Sequence, residues 1–274
     1  MIPIRRKGNS GNSLSTLRLF DPVSKAEKRM ALEDAQELAW RAMEEPNRKK
    51  RIQLAKKAVD ISPDCADALG ILAEELASAP AEREEMYIKA VEAGERAIGK
   101  KGFKEFEGVF WLALETRPYM RAKHNLAMVQ WDLGKREEAA GHFQDLLRLN
   151  PNDNQGVRGF FITCLIEMGR DEEATRLWKE YEKDRSAVWT YSAVLLAFRK
   201  GGDGEKSRSL LAEALKSNMY VPNYLLGRKL VDLDLPDYYS YGSENEAELY
   251  WYYNHNCWKN TPGAISWLGS QVSV

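Results

Sequence analysis

Cysteine is scarce. The 274-residue chain holds three, Cys65, Cys164 and Cys257, none close to another. An odd number without a close pair is a poor disulfide framework and reads as reduced, intracellular thiols. No Asn-x-Ser/Thr signal with a permissive middle residue occurs. The longest apolar runs, 109–114 and 193–198, fall far short of the roughly 20 residues a membrane span needs. An excess of one charge is missing too. Forty Lys and Arg stand against 41 Asp and Glu, a formal net charge of −1, which argues against a dedicated nucleic-acid binder.

Histidine is equally sparse. His124, His142 and His255 are too scattered for a typical metal cluster. The chain contains no GxGxxG, no Gly-Lys-Ser/Thr phosphate loop, no HExxH and no GxSxG. Acids are plentiful, but no spacing singles out an acid/base pair. These absences lead us to expect a non-catalytic cytoplasmic protein with no metal and no cofactor. An enzyme with an unrecognised site is the remote alternative.

What is present is helical. Hydrophobic residues make up 44% of the chain and charged residues 30%, enough to build a core under a charged surface. From about Val23 onward apolar residues recur every three or four positions, as in Tyr87, Ala90, Val91, Gly94, Ala97 and Ile98, which share one helical stripe. Period-two alternation is almost absent. Before this, residues 1–22 carry Arg5, Arg6, Lys7 and Arg18 and lack the apolar region of a secretory signal. They read as a basic, flexible tail, with an organelle-targeting peptide as the alternative. Another basic run, Arg48, Lys49, Lys50 and Arg51 with Lys56 and Lys57, has no interleaved aromatics and reads as a solvated helix face.

Pairs of helices with short turns call for a search for repeats. The clearest unit starts at Met120. Counting that residue as 1, Leu126 falls at 7, Ala127 at 8, Gly134 at 15, Ala139 at 20, Phe143 at 24 and Pro151 at 32. Small residues stand where two helices approach closely, bulky ones fill the space beside them, and Pro ends the second helix. The unit resembles the tetratricopeptide repeat. Weaker units begin at Leu32, Ala66 and Val188, and Gly169, Ala174 and Trp178 repeat the spacing one residue late in the unit after Pro151. The expected fold is all-α, a right-handed α-solenoid of antiparallel helix pairs closed by a C-terminal aromatic capping segment. Its expected parts are degenerate repeats over 23–98, an apolar insertion over 99–118, repeats over 119–221, the capping segment over 222–268 and a tail over 269–274.

A narrower likeness lies in Val221-Pro222-x-Tyr224-Leu225-Leu226, Gly242-Ser243-Glu244-x-Glu246-Ala247, Trp258-Lys259 and Gly263-Ala264-x-x-x-Leu268, with Leu72-Ala73-Glu74-Glu75 and Lys89-Ala90-x-x-Ala93-Gly94-Glu95 further upstream. Together they resemble the suppressor-of-tumorigenicity-seven family over about residues 45–268. The resemblance implies repeat helices and an interaction role without catalytic residues. Animal members resembled in this way are membrane-associated, and their membrane-spanning part has no counterpart expected in this sequence.

The tetratricopeptide resemblance also implies a concave groove that binds extended peptides through positions 2, 5, 9, 12 and 13 of each first helix. In the best unit these are Arg121, His124, Met128, Trp131 and Asp132, with Asn125 beside them, and Arg158 follows in the next unit. The two arginines would take a carboxylate, Asn125 a peptide backbone, and Met128 with Trp131 apolar side chains. His124 and Met128 replace the Lys and Asn of a carboxylate clamp. Eight aromatics lie between Tyr238 and Trp258. Tyr250, Trp251, Tyr253 and Trp258 among them form a candidate partner patch for self-assembly. Ser243 and Glu246 have capping-box spacing, and Thr261 with Pro262 is expected to cap a last helix. The expected partner is a protein or peptide, with a second copy of the chain as the alternative.

Overall fold

A computed structural model describes residues 24–232 and 238–272. The basic tail read from the sequence lies outside them. Five helical hairpins follow one another: α1 (Lys25–Glu44) with α2 (Arg48–Ile61), α3 (Ala66–Leu76) with α4 (Pro80–Glu105), α5 (Arg117–Asp132) with α6 (Arg136–Leu149), α7 (Val157–Glu167) with α8 (Asp171–Glu180), and α9 (Ala187–Gly201) with α10 (Glu205–Ser217). Each second helix also packs on the first helix of the next pair, and α1, α3 and α5 pack in succession, as do α7 and α9. That progression is an α-solenoid of the tetratricopeptide type. No strand occurs among the described residues.

Local chemistry sets these hairpins. In the third pair Ala127, Ala139 and Phe143 are fully buried, with Leu126 beside them, so the small residues lie at the helix crossing and the large ones fill the space around it. Gly134 takes φ 79° after α5, and the following amide, Lys135 N, donates back to Gln130 O at 2.9 Å. A side chain at this left-handed position would be strained, which is why glycine stands at the turn. Ser24 opens α1 with a reciprocal capping box to Glu27.

The insertion becomes an arm. α4 runs past the usual repeat length, kinks at Gly99 (φ 64°, ψ 165°) and continues to Glu105. A loop then leads to a 3-10 turn at Leu114–Thr116, after which Pro118 enters the first turn of α5. Phe103, Phe110 and Tyr119 hold the arm to the stack, Phe103 lying 5.2 Å from each of the others between ring centroids. Gly94 makes this junction possible. A Cβ there would come within 2.8 Å of Tyr119 Cβ, so only glycine lets α4 approach α5 so closely.

The chain ends in α11 (Val221–Leu225), α12 (Glu244–Lys259) and α13 (Ala264–Gln271). Rather than closing the stack from its end, α12 lies against α7 and α9, the inner helices of the last two hairpins. Its side chains join one continuous core running from Ala73 to Leu268. Thr261 does not cap α13, whose cap is Gly263. The Thr261 hydroxyl instead donates to Cys257 O at 2.7 Å and accepts from Arg199. Among the described residues no helix is long and apolar enough to cross a membrane.

Candidate functional site

The inner face of the solenoid is lined by α1, α3, α5, α7 and α9, and the sequence-predicted groove residues sit along it in two different states. Arg121 is not free to meet a ligand carboxylate. Its Nε and Nη2 donate to both oxygens of Asp67 at 2.9 and 2.5 Å, and Asp67 also accepts from Gln36 Nε2 at 2.7 Å. With Asp67 buried, this two-pronged pair ties α5 to α3 and α1. Arg158 is likewise spent. It donates to Asp153 at 2.9 Å and to Asp184 at 2.7 Å, with its guanidinium over the Tyr181 ring. The expectation that these arginines capture an anion therefore gives way to one that they hold helices together.

His124 is turned into the stack, its ring 6.0 Å from Phe143 and 5.5 Å from Phe160. Burial pushes its pKa down, so the imidazole is neutral at pH 7. Asn125 donates to the Tyr87 hydroxyl at 3.0 Å, and that hydroxyl donates to Glu74 at 2.5 Å. Trp131 is half-buried beneath the Arg136 guanidinium, 3.7 Å from the ring centroid. Met128 is half-buried, and Asp132 is exposed.

α12 fills the other half of this face. Its start bonds the start of α9 and its end bonds the end, so the two run parallel. Glu246 is buried and accepts from Ala187 N (2.8 Å), Asn218 Nδ2 (2.9 Å) and Gly242 N (2.7 Å). Only half of the expected capping box forms: Ser243 Oγ accepts from Glu246 N, while the Glu246 carboxylate reaches into the groove instead. Thr163 Oγ1 meets Asn254 Oδ1 at 2.7 Å, and Arg199 at the end of α9 donates to Thr261. Of the expected partner patch, Tyr250 and Trp258 are core residues, joined by a 2.7 Å bond from Trp258 Nε1 to Tyr250 Oη. Helical spacing alone does not say which stripe of α12 meets α7 and α9. Trp251 stacks on His255 at 4.3 Å, and Tyr253 remains 39% exposed, its ring edge-on to Phe160 at 5.2 Å.

The inner face is thus half occupied and half open. The open half spans α1, α3 and α5, with Tyr253 of α12 as its far wall. A cleft of about 810 Å³ lies between α1, the end of α4 and the arm, lined in part by Arg29, Leu32, Glu37, Trp40, Lys101 and Leu114, so its walls carry both charges. Trp40 is 47% exposed. Elsewhere the chemistry is quiet. Burial pushes the Cys65 thiol up to about 11 and the Cys164 and Cys257 thiols higher still, the opposite of an activated nucleophile. Among the described residues no group of three or more His, Cys, Asp or Glu is placed to hold a metal ion.

Sequence reasoning did not find Glu246, Asn254 or Thr163 as the residues that seat α12. The signal was there in part: a Glu and an Asn eight positions apart on an otherwise aromatic helix are polar groups that need buried partners.

Comparison with known proteins now bears on this geometry. A Drosophila melanogaster "Protein ST7 homolog" is 28% identical over 84% of this chain and 46% of its own length. The Homo sapiens "Suppressor of tumorigenicity 7 protein-like" is 27% identical over 84% and 43%, and a Caenorhabditis elegans "Protein ST7 homolog" 26% over 85% and 49%. The chain spans under half the length of these curated relatives. Among solved structures, YrrB, described as a TPR protein with an unusual peptide-binding site, aligns with a TM-score of 0.45 at 21% identity, covering 69% of this chain and 81% of that one. The profile described as ST7 protein matches residues 23–272, from the lead-in to α1 through the end of α13, and the chain therefore belongs to the ST7 protein family.

Proposed function

We propose that this protein is a non-catalytic interaction scaffold whose open concave half, over α1, α3 and α5, receives a segment of a partner protein. One observation carries the reading: the same face already holds a segment, the chain's own α12, through buried hydrogen bonds and aromatic packing. On the earlier hairpins, Trp40 and Met43 stand 47% and 44% exposed on α1, and Met128 is half-buried on α5. Partly exposed tryptophan and methionine on a curved helical face are side chains that anchor protein partners. Arg121 and Asp67 brace that face without needing a ligand charge.

The test is site-specific photo-crosslinking from Trp40 and Met128 in the full chain, with Ala212, exposed on α10, as the control position. Adducts to the same partner residues from both groove positions, absent from Ala212, are expected. Crosslinking of equal extent from all three positions, or from none, would overturn the proposal.

A further inference from the structure

α1 has 20 residues and α3, which packs beside it, has 11. Gln36 of α1 donates to Asp67, the second residue of α3, and Arg121 of α5 bonds the same carboxylate. The first helices of successive hairpins run the same way, so residues 25–35 of α1 overhang the start of α3 by about 16 Å. Residues 25–30 of that overhang are all exposed, Met30 at 64%.

The arm stands opposite. Leu32 of α1 lines one wall of the 810 Å³ cleft, and Ile98, Phe106 and Leu114 line it from α4 and the arm. Leu114 is 59% exposed. Apolar side chains on two walls that do not meet are stabilised by whatever covers them. Charge does not choose the cover, because Lys25, Arg29 and Lys101 line the cleft together with Glu33, Glu37 and Glu105.

Position along the chain does choose it. Lys25 lines the cleft and Ser24 caps α1, so the residues that lead into α1 arrive at its mouth. They read Leu17-Arg18-Leu19-Phe20-Asp21-Pro22-Val23, with three large apolar side chains close to Ser24. Leu32 lies about 12 Å along α1 from Ser24, and the four residues from Ser24 back to Phe20 span up to about 13 Å when extended. A tethered segment also meets its site at an effective concentration in the millimolar range, which a free partner has to match.

We infer that the cleft between α1 and the arm is a docking site for the chain's own lead-in segment, residues 17–20. The Leu17, Leu19 and Phe20 side chains cover Leu32, Ile98, Phe106 and Leu114, and the segment straps the overhanging start of α1 to the arm. Trp40, two turns further along α1 than Leu32, stays outside the strap. The partner surface proposed above and this contact use different residues, so either can fail without the other.

The experiment places photo-reactive benzoylphenylalanine at position 20 of the full chain, in a mixture of isotopically light and heavy chains, and maps the adducts by mass spectrometry. Adducts from position 20 to Ile98, Phe106 or Leu114 within one chain are expected. Leu114→Lys, at an exposed position, and separately Leu17→Asp with Leu19→Asp, should each lower those adducts at least about fivefold while helicity by circular dichroism stays unchanged. Adducts confined to α1 would reflect the tether alone and overturn the inference. Adducts joining light chains to heavy ones would assign the cleft to a second copy and overturn it too, as would arm adducts that neither substitution lowers.

Discussion

At the scale of single residues, position in a repeat and role come apart. His124 stands at a place that faces ligand in the resembled repeat, yet its ring is inserted between Phe143 and Phe160 and its Nε2 is buried without a hydrogen-bond partner. Burial holds its pKa below the ordinary imidazole value of about 6.5. The sign of the pH dependence follows. Below that ordinary value the unfolded chain binds the proton more readily than the folded one, so acid favours unfolding. The stability contributed by the neutral ring is complete above about pH 6.5 and is lost as pH falls through the folded-state pKa. We predict that urea midpoints measured between about pH 5 and 8 will fall more steeply on acidification in the wild type than in His124→Gln. His142, also held low by burial, titrates in both proteins and cancels. Parallel profiles would show that His124 is solvated. Arg121 teaches a related lesson. Its residue type was legible in the sequence, but its partner Asp67 lies 54 positions away, and no local pattern connects the two.

At the scale of elements, what could be read locally was read well. Leu126, Ala127, Gly134, Ala139, Phe143 and Pro151 define one hairpin by spacing alone, because helix crossings, left-handed turns and helix stops all act within a few residues. The kink at Gly99 and the arm beyond it were less legible, since the fixing contacts come from Tyr119 on another helix. α12 was recognisable as a capped aromatic helix, but its seat was not, because amphipathicity does not distinguish the end of a stack from its inner face. Its buried carboxylate decides the matter physically. Glu246 satisfies two backbone amides and one side-chain amide at once, so removing it strands donors in the core. Glu246→Ala is expected to destabilise the protein by about 3 kcal/mol. Asn245→Ala, at an exposed position of the same helix, should change stability by less than about 1 kcal/mol. Equal effects in equilibrium denaturation would mean that α12 is held by its aromatic residues alone.

At the scale of the whole molecule, the core is unevenly divided. From Ala73 to Leu268 one cluster runs through the later hairpins and takes in Tyr250, Cys257 and Trp258 of α12. The first hairpin and α3 instead share two small clusters built on Ala35, Ala39, Ala42, Ala55, Ala58 and Ala68. Alanine brings little apolar area to a contact, and burial scales with area at about 25 cal/mol per Å². In a solenoid, stability is close to a sum of units and their neighbour interfaces, so a weak end unit opens without the rest. Hydrogen exchange should therefore show α1 and α2 opening at a lower free energy than α5–α9. α12 should exchange together with α7 and α9, because it shares their core. Exchange of α1 and α2 only at the global unfolding free energy would refute the division, and independent exchange of α12 would refute its place in the core.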